Sequence, residues 1–452
     1  MSLTFVKVGA SVVLLIGTAW AGTTWYSGHQ IMQKYPEALT KMASDQSGMV
    51  KVVITRQTTG FLTSRVDWAA VITPNPCKPY EAFKVDGYDI IHNGVFPSLG
   101  MGQIETHIVV PEQIQPYVVK VFGTQEPLKI TTNIGFSGDY VTSIESPAAT
   151  YTDEQGQITW KGLNGKFIQT AGNSHSASQF TIEGLDVNAK APEFAMKLGQ
   201  MNLNSNSVKG MSGLGLGKGE FVLKTAEINA DGKTYGLNDF KVSVDTSESN
   251  GFLAFSEKFQ VAQLLKSGQS VGNMDIALSM EHLDALAVKN ALDVLKKDQA
   301  VCQSDSGQAK ASTDQFMQAL KPILAKGFTA KLDHLNIETS DGKAHAAANV
   351  IVPSLNEAEV QDPKQALQKV NVDASANVSQ SLLTTIASVA AKAKAQGQAI
   401  DSMQSDEMVD AMLVKPLTEG FVTKVTDTAG TRYSSTFNLR DGKMTLNDKT
   451  LN

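Results

Sequence analysis

Hydrophobic and polar positions alternate along this chain with two periods, and one stretch follows neither. From Val8 to Gly28 (VGASVVLLIGTAWAGTTWYSG) no charged side chain interrupts the sequence. A helix of roughly 20 apolar residues matches the hydrocarbon thickness of a bilayer, so this stretch predicts a membrane-crossing helix. Trp20, Trp25 and Tyr26 gather at its far end, where amphipathic rings favour the membrane–water boundary. Ala19 and Ala21 also flank Trp20 in an A-x-A pattern, so a cleaved secretory leader is the competing expectation. The aromatic continuation past that tripeptide favours a retained anchor. No second stretch approaches the length of a span, which predicts a single pass. Gly17, Ala19, Ala21 and Gly22 offer a small-residue face through which the anchor could pair with a second copy.

Beyond the anchor the period shortens to two. VKVVI at Val50–Ile54, THIVV at Thr106–Val110 and the alternation of Phe240, Val242 and Val244 with Lys241, Ser243 and Asp245 predict half-buried strands. Asp231-Gly232, Asp341-Gly342 and Asp441-Gly442 each stand between such runs and predict hairpin turns with positive φ at both central residues. Helical spacing returns at Gln30–Lys41, Pro111–Val121, the Leu283–Leu295 face, the Phe316–Leu324 face, Leu382–Ala390 and Met408–Leu413. Pro36 and Pro322 predict kinks in two of these, and Pro416 an end to the last. Strands come first and helices mix in later, without regular alternation. The fold class expected is α+β: an N-terminal transmembrane helix, then large, mostly antiparallel twisted sheets with several covering helices. The expected domains are an anchor over 1–28, a β-rich region over 29–205 and an α+β region over 206–452.

Composition narrows the function classes. A net charge of −6 speaks against nucleic acid as partner, because phosphate neutralisation needs a basic surface. Cys77 and Cys302 both follow the anchor. In an oxidising compartment they could form a disulfide, and two separate buried thiols are the alternative that spacing leaves open.

Candidate chemistry is sparse. The run Gly213, Gly215, Gly217, Gly219 lacks the third glycine of a dinucleotide fingerprint, since Lys218 holds that place. It lacks the Ser or Thr of a phosphate loop as well, and reads as the start of a strand. His334 and His345 flank one predicted hairpin and could face each other, but no third metal ligand accompanies them. Asp406, Glu407 and Asp410 read as charges complementing a helix start. No catalytic residue, cofactor site or metal site is expected.

Five stretches carry a family likeness: Trp20–Gly28 (WAGTTWYSG), Ile54–Arg56 with Gly60–Ser64 (GFLTS), His92–Pro97 (HNGVFP), Trp160–Leu163 (WKGL) and Asp441–Asn447 (DGKMTLN). By these the chain resembles the YdgA-like family of Gram-negative envelope proteins of unknown function, departing from its pattern at Asn93 and Val95. The resemblance implies an inner-membrane anchor with the bulk of the chain in the periplasm. The function expected is an envelope-associated interaction or maintenance role, with an envelope protein as partner. The alternative is a lipid-handling module with an apolar groove between its sheets.

Overall fold

The computed structural model describes residues 23–40, 50–73, 82–94, 100–112, 114–190, 193–230, 232–299, 315, 318–394, 402–428 and 430–451. In chain order the strands are β1 (Val50–Thr58), β2 (Thr63–Ile72), β3 (Phe83–Asn93), β4 (Gly102–Val109), β5 (Lys129–Ile134), β6 (Tyr140–Ser146), β7 (Ala149–Thr152), β8 (Gly156–Trp160), β9 (Leu163–Gln169), β10 (His175–Ile182), β11 (Leu185–Lys190), β12 (Glu193–Leu198) and β13 (Met201–Lys209). They continue as β14 (Gly215–Ala230), β15 (Lys233–Ser249), β16 (Phe252–Lys266), β17 (Gln269–Asp284), β18 (Phe328–Thr339), β19 (Gly342–Val352), β20 (Asn371–Ser379), β21 (Thr423–Asp427), β22 (Gly430–Arg440), β23 (Lys443–Leu446) and β24 (Lys449–Leu451). The helices are α1 (23–40), α2 (Gln115–Phe122), α3 (Ala285–Gln299), α4 (318–326), α5 (Glu357–Gln361), α6 (Pro363–Leu367), α7 (Gln380–Lys394) and α8 (Ser402–Glu419). The expected class, mostly antiparallel sheet with several helices, is what the chain adopts.

The chain forms two units. The first holds residues up to Leu185 together with Leu203–Lys209 and Leu292–Gln315, and the second holds the remainder. In the first unit, β1 to β6 pair in sequence order, each antiparallel to the last. β9 then joins β6, and β10 joins β9. One face of this sheet carries Val66, Ile91 and Ile104, and α1 lays Ile31 on them. Each such side chain stabilises by about 1.5–3 kcal/mol when buried. Gly102 lets the helix approach, because a Cβ there would stand 2.8 Å from Ile31 Cδ1. α1 continues through Pro36 without a break. The proline's missing donor costs about 3 kcal/mol, which the burial of Ile31 and Tyr35 against the sheet offsets.

In the second unit, β12 pairs with β14, and β14 to β20 follow in sequence order as an antiparallel series. β22 closes onto β20. Four of these strands exceed fourteen residues. Their turns follow the chemistry of two-residue loops. Asn250 and Gly251 have φ of 52° and 78°, and Ser267 and Gly268 have 50° and 76°, the left-handed pairs that type I′ hairpins need. Asp441 and Gly442 do the same between β22 and β23. The predicted Asp341-Gly342 turn differs. Thr339 pairs with Gly342, so the loop is Ser340-Asp341, and neither residue has positive φ. Pro416 lies inside α8, which continues to Glu419 before Gly420 ends it at φ 74°. Likewise α4 continues past Pro322. α8 begins at Ser402, so Asp406 and Glu407 fall beyond its first turn.

Candidate functional site

The site in the first unit is built by a simple alternation. Every second residue of β2 to β6 points to the face that α1 covers. Strand pairing aligns Trp68 with Gly87, Asp89 with Thr106, Ile104 with Thr132, and Thr132 with Thr142. Between these side chains and α1 lies a cavity of about 490 Å³, within the range of small-molecule sites. Ile31, Ala38, Leu39, Met101, Ile104 and Ile134 supply its apolar walls. Trp68 lies across β3 because its partner is glycine: a Cβ on Gly87 would stand 2.2 Å from the indole.

Polar atoms in this cavity converge on Asp89, which is fully buried. Tyr35, on α1, donates its hydroxyl to Asp89 Oδ2 at 2.8 Å. Asp89 Oδ1 and Trp68 Nε1 are buried without a well-aligned partner, while the Thr106 hydroxyl and the Trp68 indole lie close enough to Asp89 to favour its carboxylate. Burial pushes the Asp89 carboxyl above its ordinary value, against the lowering influence of Thr106, Tyr35, Trp68 and nearby His107. Burial, reinforced by the Asp89 carboxylate, holds the Tyr35 phenol far above its ordinary value, so it stays protonated as the donor. A buried carboxyl is costly to keep, and here it shares a mostly apolar wall with Gln30, Lys34 and three threonines.

Three stretches that carry the family likeness meet at one end of α1. Asn93 Nδ2 donates to the carbonyls of Gly60 and Phe61 at 3.0 and 3.2 Å and to Ser64 Oγ at 3.3 Å. Asn93 N donates to Leu62 O at 2.8 Å. α1 presents Thr24, Ser27 and Gly28 to this turn, all buried. A Cβ on Gly28 would stand 2.7 Å from Asn93 Cγ, and one on Gly94 2.4 Å from Thr24 Oγ1. Asn93, the departure from the family pattern, is therefore the residue that ties the turn together.

The second unit offers an apolar sheet surface, besides a hollow of about 560 Å³ with polar walls that include Lys331, Asp333, Asn349 and Asp373. Register places Phe221, Val242, Phe259, Ile276, Leu335, Ala346 and Ala376 in one row across seven strands. The neighbouring row is Leu223, Phe240, Val261, Met274, Ile337, Ala344, Val378 and Tyr433. The opposite face carries Lys241, Gln260, Asp275, Asn336, His345 and Asn377, with ion pairs such as Lys241–Glu220 and Lys218–Asp245. α7 packs against β19, β20 and β22, and there Tyr433 and Leu439 are buried. On β17 the same face is open: Leu278 and Met280 are 37% and 41% exposed.

Residues singled out from sequence fall as follows. Trp25, stacked on His29, and Tyr26 are exposed on α1, and Phe61 and Leu62 are exposed on the turn after β1. Trp20, Cys77 and Cys302, and the anchor upstream of Thr23, lie outside the described residues. Among the described residues no helix is long and apolar enough to cross a membrane. His334 and His345 do not meet. His334 Nε2 lies 3.1 Å from Asp275 Oδ1, and His345 Nδ1 bonds Asn336 Oδ1 at 2.7 Å. The glycine run opens β14, where Gly217 N donates to Thr246 Oγ1. Sequence reasoning missed Asp89, Trp68 and Tyr35. The signal was an aspartate at a position whose strand neighbours two away, Gly87 and Ile91, belong to the covered face.

Comparison with known proteins places these features in a wider set. The family described as bacterial protein of unknown function (DUF945) matches residues 6–452. The uncharacterized protein YihF of Escherichia coli (strain K12) is 20% identical, covering 92% of this chain and 90% of its own length. Protein YdgA of the same organism is 25% identical, covering 52% of this chain and 56% of its own length. No solved structure matches.

Proposed function

Since the chain belongs to this bacterial family of unknown function, matched across residues 6–452, we propose its function from its own geometry: a membrane-anchored envelope protein that shields the acyl chains of amphiphiles on an apolar sheet face. The observation that carries the reading is the pair of apolar rows across β14 to β20, open at Leu278 and Met280 and backed by a charged face. Half-buried apolar rows that end in exposed Leu278 and Met280 favour a binding surface. Long strands also suit the role, since a residue advances about 3.3 Å along a strand and an extended acyl chain can lie against several rows.

The anchor belongs to the same proposal. The uncharged stretch upstream of Thr23 crosses the inner membrane once, Thr24, Ser27 and Gly28 pack on the first unit instead, and the bulk of the chain works in the periplasm. What supports this is the uncharged stretch itself and the exposed aromatic rings of Trp25 and Tyr26 that follow it. The role is binding and shielding rather than catalysis.

Purification of the full-length protein from bacterial membranes, followed by native mass spectrometry and lipid extraction, tests the reading. Stoichiometric diacyl lipid is expected with the wild type, and at least ten-fold less with the double substitution Phe259→Lys, Ile276→Lys. Lipid-free wild-type protein, or equal lipid on the double variant, overturns it.

A further inference from the structure

The cavity beneath α1 belongs to the first unit and is separate from the sheet face just discussed. Most polar groups in its wall are already engaged or closed off. Tyr35 donates to Asp89 Oδ2 at 2.8 Å, and Thr132 and Thr142 bond each other at 2.9 Å. The Thr106 hydroxyl lies close to the Asp89 carboxylate. Asp89 Oδ1 and Trp68 Nε1 have no surface open to the hollow, so Asp89 braces α1 through Tyr35 instead of meeting a ligand. Among the described residues, the lining side chains that can donate a hydrogen bond, remain open and lack a partner are Gln30, Lys34 and Tyr140. Lys34 is exposed and is the one cation in this wall, and Gln30 stands one turn before it on the same face of α1. The rest of the hollow is mostly apolar, with Leu39, Met101, Ile104 and Ile134 among its walls. The same sheet face continues past the cavity as half-buried Ile130, Ile144, Phe167 and Phe180.

We propose that this cavity binds a single-chain amphiphile with a carboxylate head, its alkyl chain in the hollow and its head at the rim on Lys34 Nζ and Gln30 Nε2. An ionised carboxylate only accepts hydrogen bonds, which suits a rim whose open groups donate. Its two oxygens match two donors one helical turn apart, and one of the two bonds is charge-assisted on both sides. An ammonium head would meet Lys34 as a like charge. A phosphate monoester carries more negative charge than one lysine balances. The volume of about 490 Å³ lies in the range of small-molecule sites, which fits one chain in place of a whole diacyl lipid.

The test uses the full-length protein in a non-ionic amphipol and four probes of one chain length: dodecanoate, dodecanol, dodecylamine and dodecyl phosphate, each measured by native mass spectrometry. Dodecanoate is expected to bind saturably, and dodecanol about ten-fold more weakly, the equivalent of about 1.4 kcal/mol. Lys34→Gln should weaken dodecanoate about ten-fold and leave dodecanol unchanged, while Lys34→Arg should keep the preference for the acid. The tail is located with ω-bromododecanoate, whose bromine quenches indole fluorescence on contact. Trp68 lines the cavity, so Trp68→Phe should remove most of the quenching seen in the wild type. The sheet-face pair Phe259→Lys, Ile276→Lys should leave dodecanoate in place, which separates this site from the function proposed above. Circular dichroism and melting confirm that each variant is folded; should the sheet-face or Trp68 variant fail, the probe series and the variants of exposed Lys34 decide alone. Equal affinity for acid and alcohol overturns the proposal. So does tighter binding of the amine or the phosphate, full dodecanoate binding by Lys34→Gln, quenching that survives Trp68→Phe, or loss of dodecanoate from the folded sheet-face variant.

Discussion

Asp89 shows how much one side chain can alter a fold's response to solution conditions. Its folded-state affinity for a proton is raised by burial, so the folded chain binds that proton more tightly than the unfolded chain. Stability from this group is therefore greatest at pH values below both the unfolded and the folded pKa. It declines as pH rises through the folded value, where the carboxylate must ionise inside the sheet face. Asp89→Asn removes the titration. Thermal melts from pH 4 to pH 8 should show the variant losing less stability than wild type across that range. A variant whose melting temperature tracks wild type at every pH would show that Asp89 is solvated. Neighbouring Asn93 illustrates a different economy, closing a turn through three side-chain bonds and one main-chain bond where the family pattern lacks it. Neither role was legible from the sequence alone. Asp89 sits in an ordinary strand run, and its distinction comes from α1, which is remote in the chain and supplies Tyr35 fifty-four positions away.

At the scale of elements, much was legible because the signals are local. Alternation located β15 and β19, and the Asp441-Gly442 dipeptide located the turn between β22 and β23. Two further signals of the same kind, Asn250-Gly251 and Ser267-Gly268, join the long hairpins and carry the same instruction. The exceptions have a common cause. Pro36 and Pro416 lie inside helices because tertiary packing of α1 and the late position of Pro416 in α8 offset a missing donor. The Ser340-Asp341 loop defeats the dipeptide rule because register in β18 and β19 is set by their apolar faces, with a bulge between Leu332 and Leu335 absorbing the mismatch. Gly251 gives a clean measure of turn energetics. No heavy atom would meet a Cβ there, and its φ is 78°. Gly251→Ala should cost about 1–2 kcal/mol by the left-handed penalty alone, read as a fall in the denaturation midpoint at unchanged slope. No loss would mean that the β15–β16 turn relaxes to another type.

For the whole molecule, the sequence conveyed class and family but not the division of labour. The alternating pattern announced apolar strand faces without saying which would be covered. Covering depends on where α1 and α7 return, and that is a long-range property. The first unit hides its apolar face under α1, and the second leaves Leu278 and Met280 exposed. The proposed anchor has a direct check at this scale. After alkaline carbonate extraction of cells expressing the full chain, the protein should stay in the membrane pellet. A version with Val13→Lys and Leu15→Lys should move to the soluble fraction, since each charge at a span centre costs about 2.5–3.5 kcal/mol on insertion scales. Release of the wild-type protein would instead favour removal of the stretch after Ala21.

Sequential pairing has a consequence for how such a chain comes into being. β1 to β6 and β14 to β20 each pair with the strand just synthesised before them. A chain emerging from its N-terminal end can therefore zip hairpin upon hairpin, closing short loops at little entropic cost. The growing edge is always the newest strand, and the next segment to arrive is the one that caps it. Pairs such as β9 on β6, β14 on β12 and β22 on β20 must wait for an intervening segment. Between those pauses an unfinished edge is open to pairing with other chains, so the pauses are the steps at which a helper protein or a crowded compartment would change the yield of folded protein.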